Sequence, residues 1–326
     1  MQSTHFYRGL TLATAVVTTT FAMTSAAEAA AKTCEKTYTI GFSHPVGESQ
    51  FAIALKKKVV KAGEKNGCVK VLLDNTQQSN LESQRATIES WVTRRVNAIV
   101  VLPVEGTALN GLRKQAQQQG TKWLTYAGHS DNADGSVGFD NVQSGRLVGE
   151  DALAWVKQRY PNGGITAAVT TLTPLTGFAG RWDQPLALFD KAGLKVVSKQ
   201  DCATQACGLQ IAEDALRQHP DLRVFIGIND DAALGALRAF TNAGIKPADV
   251  YIAGQDGTVE GLEAVKKGGA YRASAAILLD DLAQSIIDNS IAAITGKGRK
   301  DYETSVELGT LKNPQRLDAL IAQYKD

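Results

Sequence analysis

The stretch FIGINDDAALGALRAF, Phe225–Phe240, changes character within four residues. Phe225, Ile226 and Ile228 form an apolar run of the kind carried by a strand covered on both faces, and an Ala- and Leu-rich helical period begins directly after Asn229-Asp230-Asp231. Acidic residues at a helix start complement its dipole and bind its free amides. Asp230 and Asp231 therefore read as helix starters, and Asn229 as the residue that looks out from the strand end.

A strand, a polar turn and a helix in direct succession is the unit of an α/β sheet, and the same unit recurs on both sides. Upstream, strand patterns TYTIGF, VKVLLD, AIVVLP, KWLTYA and SVGF are separated by helical ones such as FAIALKKKVVKAGEKNG and NLESQRATIESWVTRRV. A second series runs ITAAVTTL, LKVVSK, RVFIGI, VYIAGQ and RASAAI, with helices GLQIAEDALRQH, DAALGALRAFTNAG and TVEGLEAVKKGG. Two doubly wound α/β lobes with parallel sheets follow. The length of 326 residues agrees with two hydrophobic cores rather than one. A hydrophobic fraction of 44%, a charged fraction of 21% and a net charge of +2 exclude a disordered chain, a membrane-embedded body and a nucleic-acid binder.

At the N-terminus Arg8 precedes a short apolar, Thr-rich stretch that ends in small residues, the pattern of a cleaved secretory signal over 1–31 with the mature chain starting near Lys32. Export places the cysteines in an oxidising compartment. Cys34, Cys68, Cys202 and Cys207 leave three connectivities formally open, and position favours Cys34 with Cys68 and Cys202 with Cys207. Cys34 and Cys68 precede strands that would lie side by side, and the second pair closes the short loop CATQAC. A metal site is the rival reading, but beyond the signal only His44, His129 and His219 remain as nitrogen ligands. No metal or other cofactor is expected.

In doubly wound sheets a ligand lies outside the carboxyl ends of the strands. The loops found there are SHPVGESQF, GHSDNADG, TPLTGFAGRW, QDCATQAC, NDD and QDG, polar and aromatic together. That mixture suits hydrogen bonds to hydroxyls and packing against the apolar faces of a small carbohydrate-like molecule. No strand runs into G-x-G-x-x-G, no G-x-S-x-G elbow occurs and no P-loop is present, which argues against an enzyme of dinucleotide or hydrolase type.

FIGINDDAALGALRAFTNAG, DVYIAGQDGTVEGLEAVKKGG and YRASAAILLDDLAQSII, with GFSHPVGESQFAIALKKKVVKAGEKNG, LDNTQQSNLESQRATIESWVTRRVNAIVVLPVE and VGFDNVQSGRLVG upstream in the same order, resemble the secreted solute-binding proteins of the ribose-binding type that feed ABC sugar importers. The resemblance spans essentially the whole mature chain. It implies a type I periplasmic binding protein: lobes of 32–139 plus 279–305 and of 140–278 plus 306–326, joined by a three-strand hinge that closes over ligand. It also implies an ABC permease in the inner membrane as partner, a monomeric state, a role compatible with a chemoreceptor, and no nucleic acid. Asn229 matches the family's hydroxyl-binding Asn, Asp256 its ligand-binding Asp, Arg181 its cleft Arg and Phe51 an aromatic at the start of the first helix. Ser43 holds the polar position after the first strand, and Asp140 the hinge crossing.

The departures bear on the ligand. Where the ribose-binding pattern has an Asp-Arg pair after the fourth strand, this chain has Ala127 and Gly128, followed by His129; Ala52 and Gln255 replace two aromatics, and Ile277 a Gln. Trp182 and Phe178 are candidates for the missing apolar platform, and His129, Gln255 and His44 for new hydrogen bonds. The expected ligand is a small polyhydroxylated solute, a sugar or sugar alcohol, with a non-sugar such as a nucleoside or signalling compound as the alternative. A transcriptional repressor on the same core would need an N-terminal helix-turn-helix, where the secretory segment stands instead.

Overall fold

The computed structural model describes residues 1–5, 34–47, 49–128 and 132–324. The expected signal cleavage region and residues 6–31 of the leader lie outside them. From Tyr38 the chain alternates β1 (Tyr38–Ser43), α1 (Gln50–Asn66), β2 (Val69–Leu73), α2 (Leu81–Thr93), β3 (Ala98–Val101), α3 (Asn110–Gln118), β4 (Lys122–Tyr126) and β5 (Gly135–Phe139). It continues with α4 (Asn141–Arg159), β6 (Thr166–Thr171), α5 (Gly180–Lys191), β7 (Val196–Asp201), α6 (Gln205–Gln218), β8 (Leu222–Ile226), α7 (Asp230–Asn242), β9 (Tyr251–Asp256), α8 (Val259–Lys267) and β10 (Tyr271–Ile277). The last elements are α9 (Leu279–Thr295), β11 (Asp301–Thr304), β12 (Val306–Thr310) and α10 (Pro314–Ala322). No helix among the described residues is long and apolar enough to cross a membrane.

The strands form two six-stranded sheets, in the orders β11-β5-β4-β3-β1-β2 and β12-β10-β9-β8-β6-β7. The first sheet is parallel throughout; in the second, β12 runs antiparallel to β10. Both faces of the first sheet are covered, which is why its strands read as unbroken apolar runs. Ile40 and Phe42 belong to the core that includes Leu55 and Val59 of α1, whereas Ile99 and Trp123 pack with Ile88 and Trp91 of α2 in a separate cluster. Trp91 lies so close over Gly41 that a Cβ there would meet its indole at 2.4 Å, so β1 needs glycine at that point.

The chain passes between the sheets at three places: from β5 into α4, from β10 into α9, and from β11 into β12. Backbone and side-chain bonds tie the crossings together. The Asp140 amide donates to the Thr304 carbonyl at 3.1 Å, the Val306 amide to Gln143 Oε1 at 3.1 Å and the Leu279 amide to Gln323 Oε1 at 2.9 Å.

Both cysteine pairs favoured by position are disulfides. Cys34–Cys68 joins the segments that enter β1 and β2, which pair in register Tyr38↔Val69, and Cys202–Cys207 ties the end of β7 to the first turn of α6. The reading of the sequence omitted β11 and β12. Their stretch, DYETSVELGT, sets Tyr302, Val306 and Leu308 singly among polar residues and contains no apolar run, and one of these strands closes an edge of each sheet.

Candidate functional site

A cavity of about 490 Å³ lies between the carboxyl ends of the two sheets. Its two walls differ in chemistry. On the side of the first sheet the lining is mostly ring and aliphatic: His44, Phe51, Leu102, Val104, Tyr126 and Phe139. The rings form a continuous lattice, with His44 against Tyr126 at 5.6 Å, Tyr126 against Phe139 at 6.2 Å and Phe139 against Phe178 at 5.9 Å. The charged lining residues, Arg181, Asp231 and Asp256, all come from the second-sheet side.

Arg181 is the centre of that side. It is 2% exposed, and its guanidinium lies 4.9 Å from the Phe139 ring centre and 5.2 Å from that of Phe178. Nε donates to Asn141 Oδ1 at 2.8 Å; Nη1 donates to the Ile228 carbonyl at 3.1 Å and to Asp256 Oδ1 at 2.6 Å. Nη2 is buried with no hydrogen-bond partner, and neither has the buried Tyr126 hydroxyl. Such groups are costly to leave unmade, so each is a waiting contact for a polar atom of a ligand. Burial raises the Asp256 carboxyl above its ordinary range, and the adjacent Arg181 cation opposes the rise. The backbone puts Asp256 there by an unusual route: Asp256 stands at φ 99° and Gly257 at 70°, where a Cβ would run into Ala276. A non-glycine residue held in that region is the kind of strain found at binding sites.

Asn229 lines the cavity, but both ends of its amide are engaged. Oδ1 accepts from the Ala232 amide at 2.9 Å and caps α7, while Nδ2 donates to the Ala203 carbonyl at 2.9 Å in the disulfide-closed loop. The roles expected for the two aspartates therefore need correction. Asn229, rather than an acid, caps the helix, and Asp230 is fully buried away from the cavity. Asp230 accepts from the amide and hydroxyl of Thr258, from Tyr271 Oη and from Ser274 Oγ, locking α7, α8 and β10 together. Burial pushes its carboxyl up to about 7 despite those donors. Asp231 lines the cavity and accepts from Gln205 Nε2 at 3.2 Å; burial raises its carboxyl as well, aided by the nearby Glu260.

Of the residues singled out from sequence, His44, Phe51, Arg181, Asn229 and Asp256 come together on the cavity, as does Phe178. Burial and Lys56 push His44 down to about 3, so the ring is neutral; its Nδ1 accepts from the Val46 amide, which leaves the proton on Nε2. The others stand elsewhere. Ser43 is fully buried: it donates to Asp74 Oδ2 at 2.5 Å and accepts from Gln84 Nε2, whose amide also holds Leu102 and Val104 in place. Gln255 is also fully buried, with its amide spent on Ser144 and on the carbonyls of Arg181 and Gly227, where it supports Arg181 from behind. Trp182 packs in the core on the inner face of α5, and Asp140 caps α4 by accepting from the Gln143 amide. His129 lies outside the described residues.

Tyr126, Phe139 and Leu102 were missed, and Asp231, expected only as a helix starter, lines the cavity as well. Tyr126 and Phe139 are the last residues of their strands, whereas attention fell on the loops that follow; an aromatic closing a strand was the available signal. At the cavity mouth Gln205 Nε2 also donates to Glu260 Oε2 at 3.1 Å, and Gln50 Nε2, from the first-sheet side, reaches the same oxygen at 3.4 Å. No group of His, Cys, Asp or Glu among the described residues is arranged to hold a metal ion.

A family model for a periplasmic binding protein domain matches residues 40–298. A ribose import binding protein of Bacillus subtilis is 27% identical over 71% of this chain and 74% of its own length. A ribose import binding protein of Escherichia coli is 26% identical over 91% of this chain and 97% of its own. The crystal structure of an ABC transporter solute binding protein from Bacillus halodurans with bound myo-inositol superposes with a TM-score of 0.76 at 23% identity, covering 87% of this chain and 98% of that one.

Proposed function

This chain belongs to the periplasmic binding protein family, and on that premise we propose that it is the secreted receptor of an ABC importer, capturing a small sugar or sugar alcohol between its lobes. The observation that carries the reading is the Arg181–Asp256 pair at the cavity, whose buried guanidinium packs against Phe139 and Phe178 and offers an unpartnered nitrogen. A fixed fork of donors beside a carboxylate acceptor binds neighbouring hydroxyls, and the rings face the C–H surface of the sugar. The ribose import binding proteins among its relatives support the same class.

The lobes are 32–139 with 279–305 and 140–278 with 306–326, a division supported by the membership of the two sheets. Ligand bridges the lobes and holds them closed, and the closed monomer delivers its cargo to the permease in the inner membrane, with a chemoreceptor as a second listener. A signal peptide over 1–31 takes the chain to the periplasm. Binding requires no catalysis. Thermal unfolding of ligand-stripped protein against pentoses, hexoses and polyols tests the reading. At ~1,000 times its Kd a ligand stabilises by about 4 kcal/mol, a shift of several degrees. A shift with one sugar or polyol is expected; silence across all of them, with a response to metal ions or amino acids, overturns it.

A further inference from the structure

Beside the main cavity lies a second one of about 410 Å³, and the two share Leu102, Tyr126, Pro174, Leu175 and Phe178 in their walls. The second chamber continues past that boundary to Pro103, Leu109 and Trp123, with Ala127 and Gly128 also in its wall. A Cβ built on Gly128 meets nothing within 4 Å among the described residues, so a larger side chain finds room there. The lining is mostly aromatic and aliphatic, with Asn110 and Arg113 at one side, and Thr125 Oγ1 and Tyr126 Oη, from residues in the wall, are buried without hydrogen-bond partners. A free monosaccharide, with polar groups around its whole rim, matches the Arg181 side of the site and has no use for a second, mainly apolar chamber.

We propose that the physiological ligand is a sugar carrying a flat ring substituent: the sugar binds at Arg181 and Asp256, and the ring extends past Tyr126 into the chamber bordered by Trp123, Leu109 and Gly128. This rests on the sugar-receptor reading and narrows it. The flat ring packs against the Tyr126 and Phe178 faces, and polar atoms on its edge meet the two orphan hydroxyls. An aryl glycoside and a nucleoside share this chemistry.

Calorimetric titration of the ligand-stripped full chain separates the cases. The probes are methyl and phenyl β-D-galactopyranoside, methyl and phenyl β-D-glucopyranoside, and methyl β-D-ribofuranoside beside adenosine and uridine. In at least one series the ring-bearing compound is expected to bind about tenfold or more tighter than its methyl counterpart, and the responding series identifies the source. In Gly128→Leu, and independently in Thr125→Leu, the leucine side chain takes up space in the chamber and the ratio falls towards one. If the methyl compounds bind as tightly as the ring-bearing ones, or the ratio survives both leucines, this inference fails while the sugar receptor stands. If no probe in any series and no free sugar binds, both readings fall together.

Discussion

A carboxylate that neutralises a buried guanidinium does two jobs, and at Asp256 they can be measured apart. Asp256→Ala leaves the buried Arg181 cation unpaired against two phenylalanine rings, and breaking such a pair costs about 3–5 kcal/mol. Denaturant unfolding should show that loss without any ligand present. Asn229→Ala removes a helix cap, for about 1 kcal/mol of stability, and should weaken sugar binding by about 1–3 kcal/mol as polar partners are left unmatched. Unchanged affinity in Asn229→Ala would remove Asn229 from the site. His44 supplies a pH test with a definite sign. Its folded value of about 3 lies below the ordinary 6.5, so the unfolded chain binds the proton first and the contribution to stability is lost as pH falls through that interval. Relative to the parent, His44→Gln should therefore gain in melting temperature as pH drops from 7 to 4, and a constant difference would refute the burial argument. Asp230, raised to about 7, works in the opposite sense: its contribution is fullest at low pH and is lost as pH rises to about 7.

At the scale of elements, the loop between β7 and α6 carries more of the site than its length indicates. The Ala203 carbonyl that orients Asn229 lies inside the Cys202–Cys207 ring. Replacing both cysteines by serine should cost up to about 2 kcal/mol of stability through the small loop it opens, and should weaken sugar binding besides. Serines at Cys34 and Cys68, at the amino ends of β1 and β2 and away from the cavity, should lower the melting temperature and leave affinity unchanged. Equal effects of the two double variants on titration would show that the short loop positions nothing. The elements were legible where apolar runs alternated with amphipathic ones, which covers β1 to β10 and the helices α1, α2, α6, α7 and α8. β11 and β12 were not: unlike the other edge strands β2 and β7, which keep adjacent apolar residues, they place polar residues at every second position. For the site, the rule that ligands meet strand ends found the loops that carry Arg181, Asn229 and Asp256, and the family resemblance singled out those three residues. It could not tell a side chain that faces the cavity from one that supports it: Ser43 and Gln255 have the right chemistry and position, and only packing shows that their polar atoms are already spent.

For the whole molecule, the polar bridge of Gln50, Glu260 and Gln205 spans the cavity mouth between elements of the two sheets. Sugar that draws the lobes together should reduce the radius of gyration in small-angle scattering, and Glu260→Ala should shorten the bound lifetime of the sugar, an off-rate effect of up to about tenfold. An unaltered off-rate would leave Glu260 without a part in closure. The three crossings have a further consequence, for the order in which the molecule can be made. The first sheet draws its edge strand β11, and the second its edge strand β12, from residues 301–310, so neither sheet can be completed while a chain emerging from its amino end still lacks that segment. Contacts this distant in sequence form late. A nascent chain can therefore finish neither sheet until almost all of it exists.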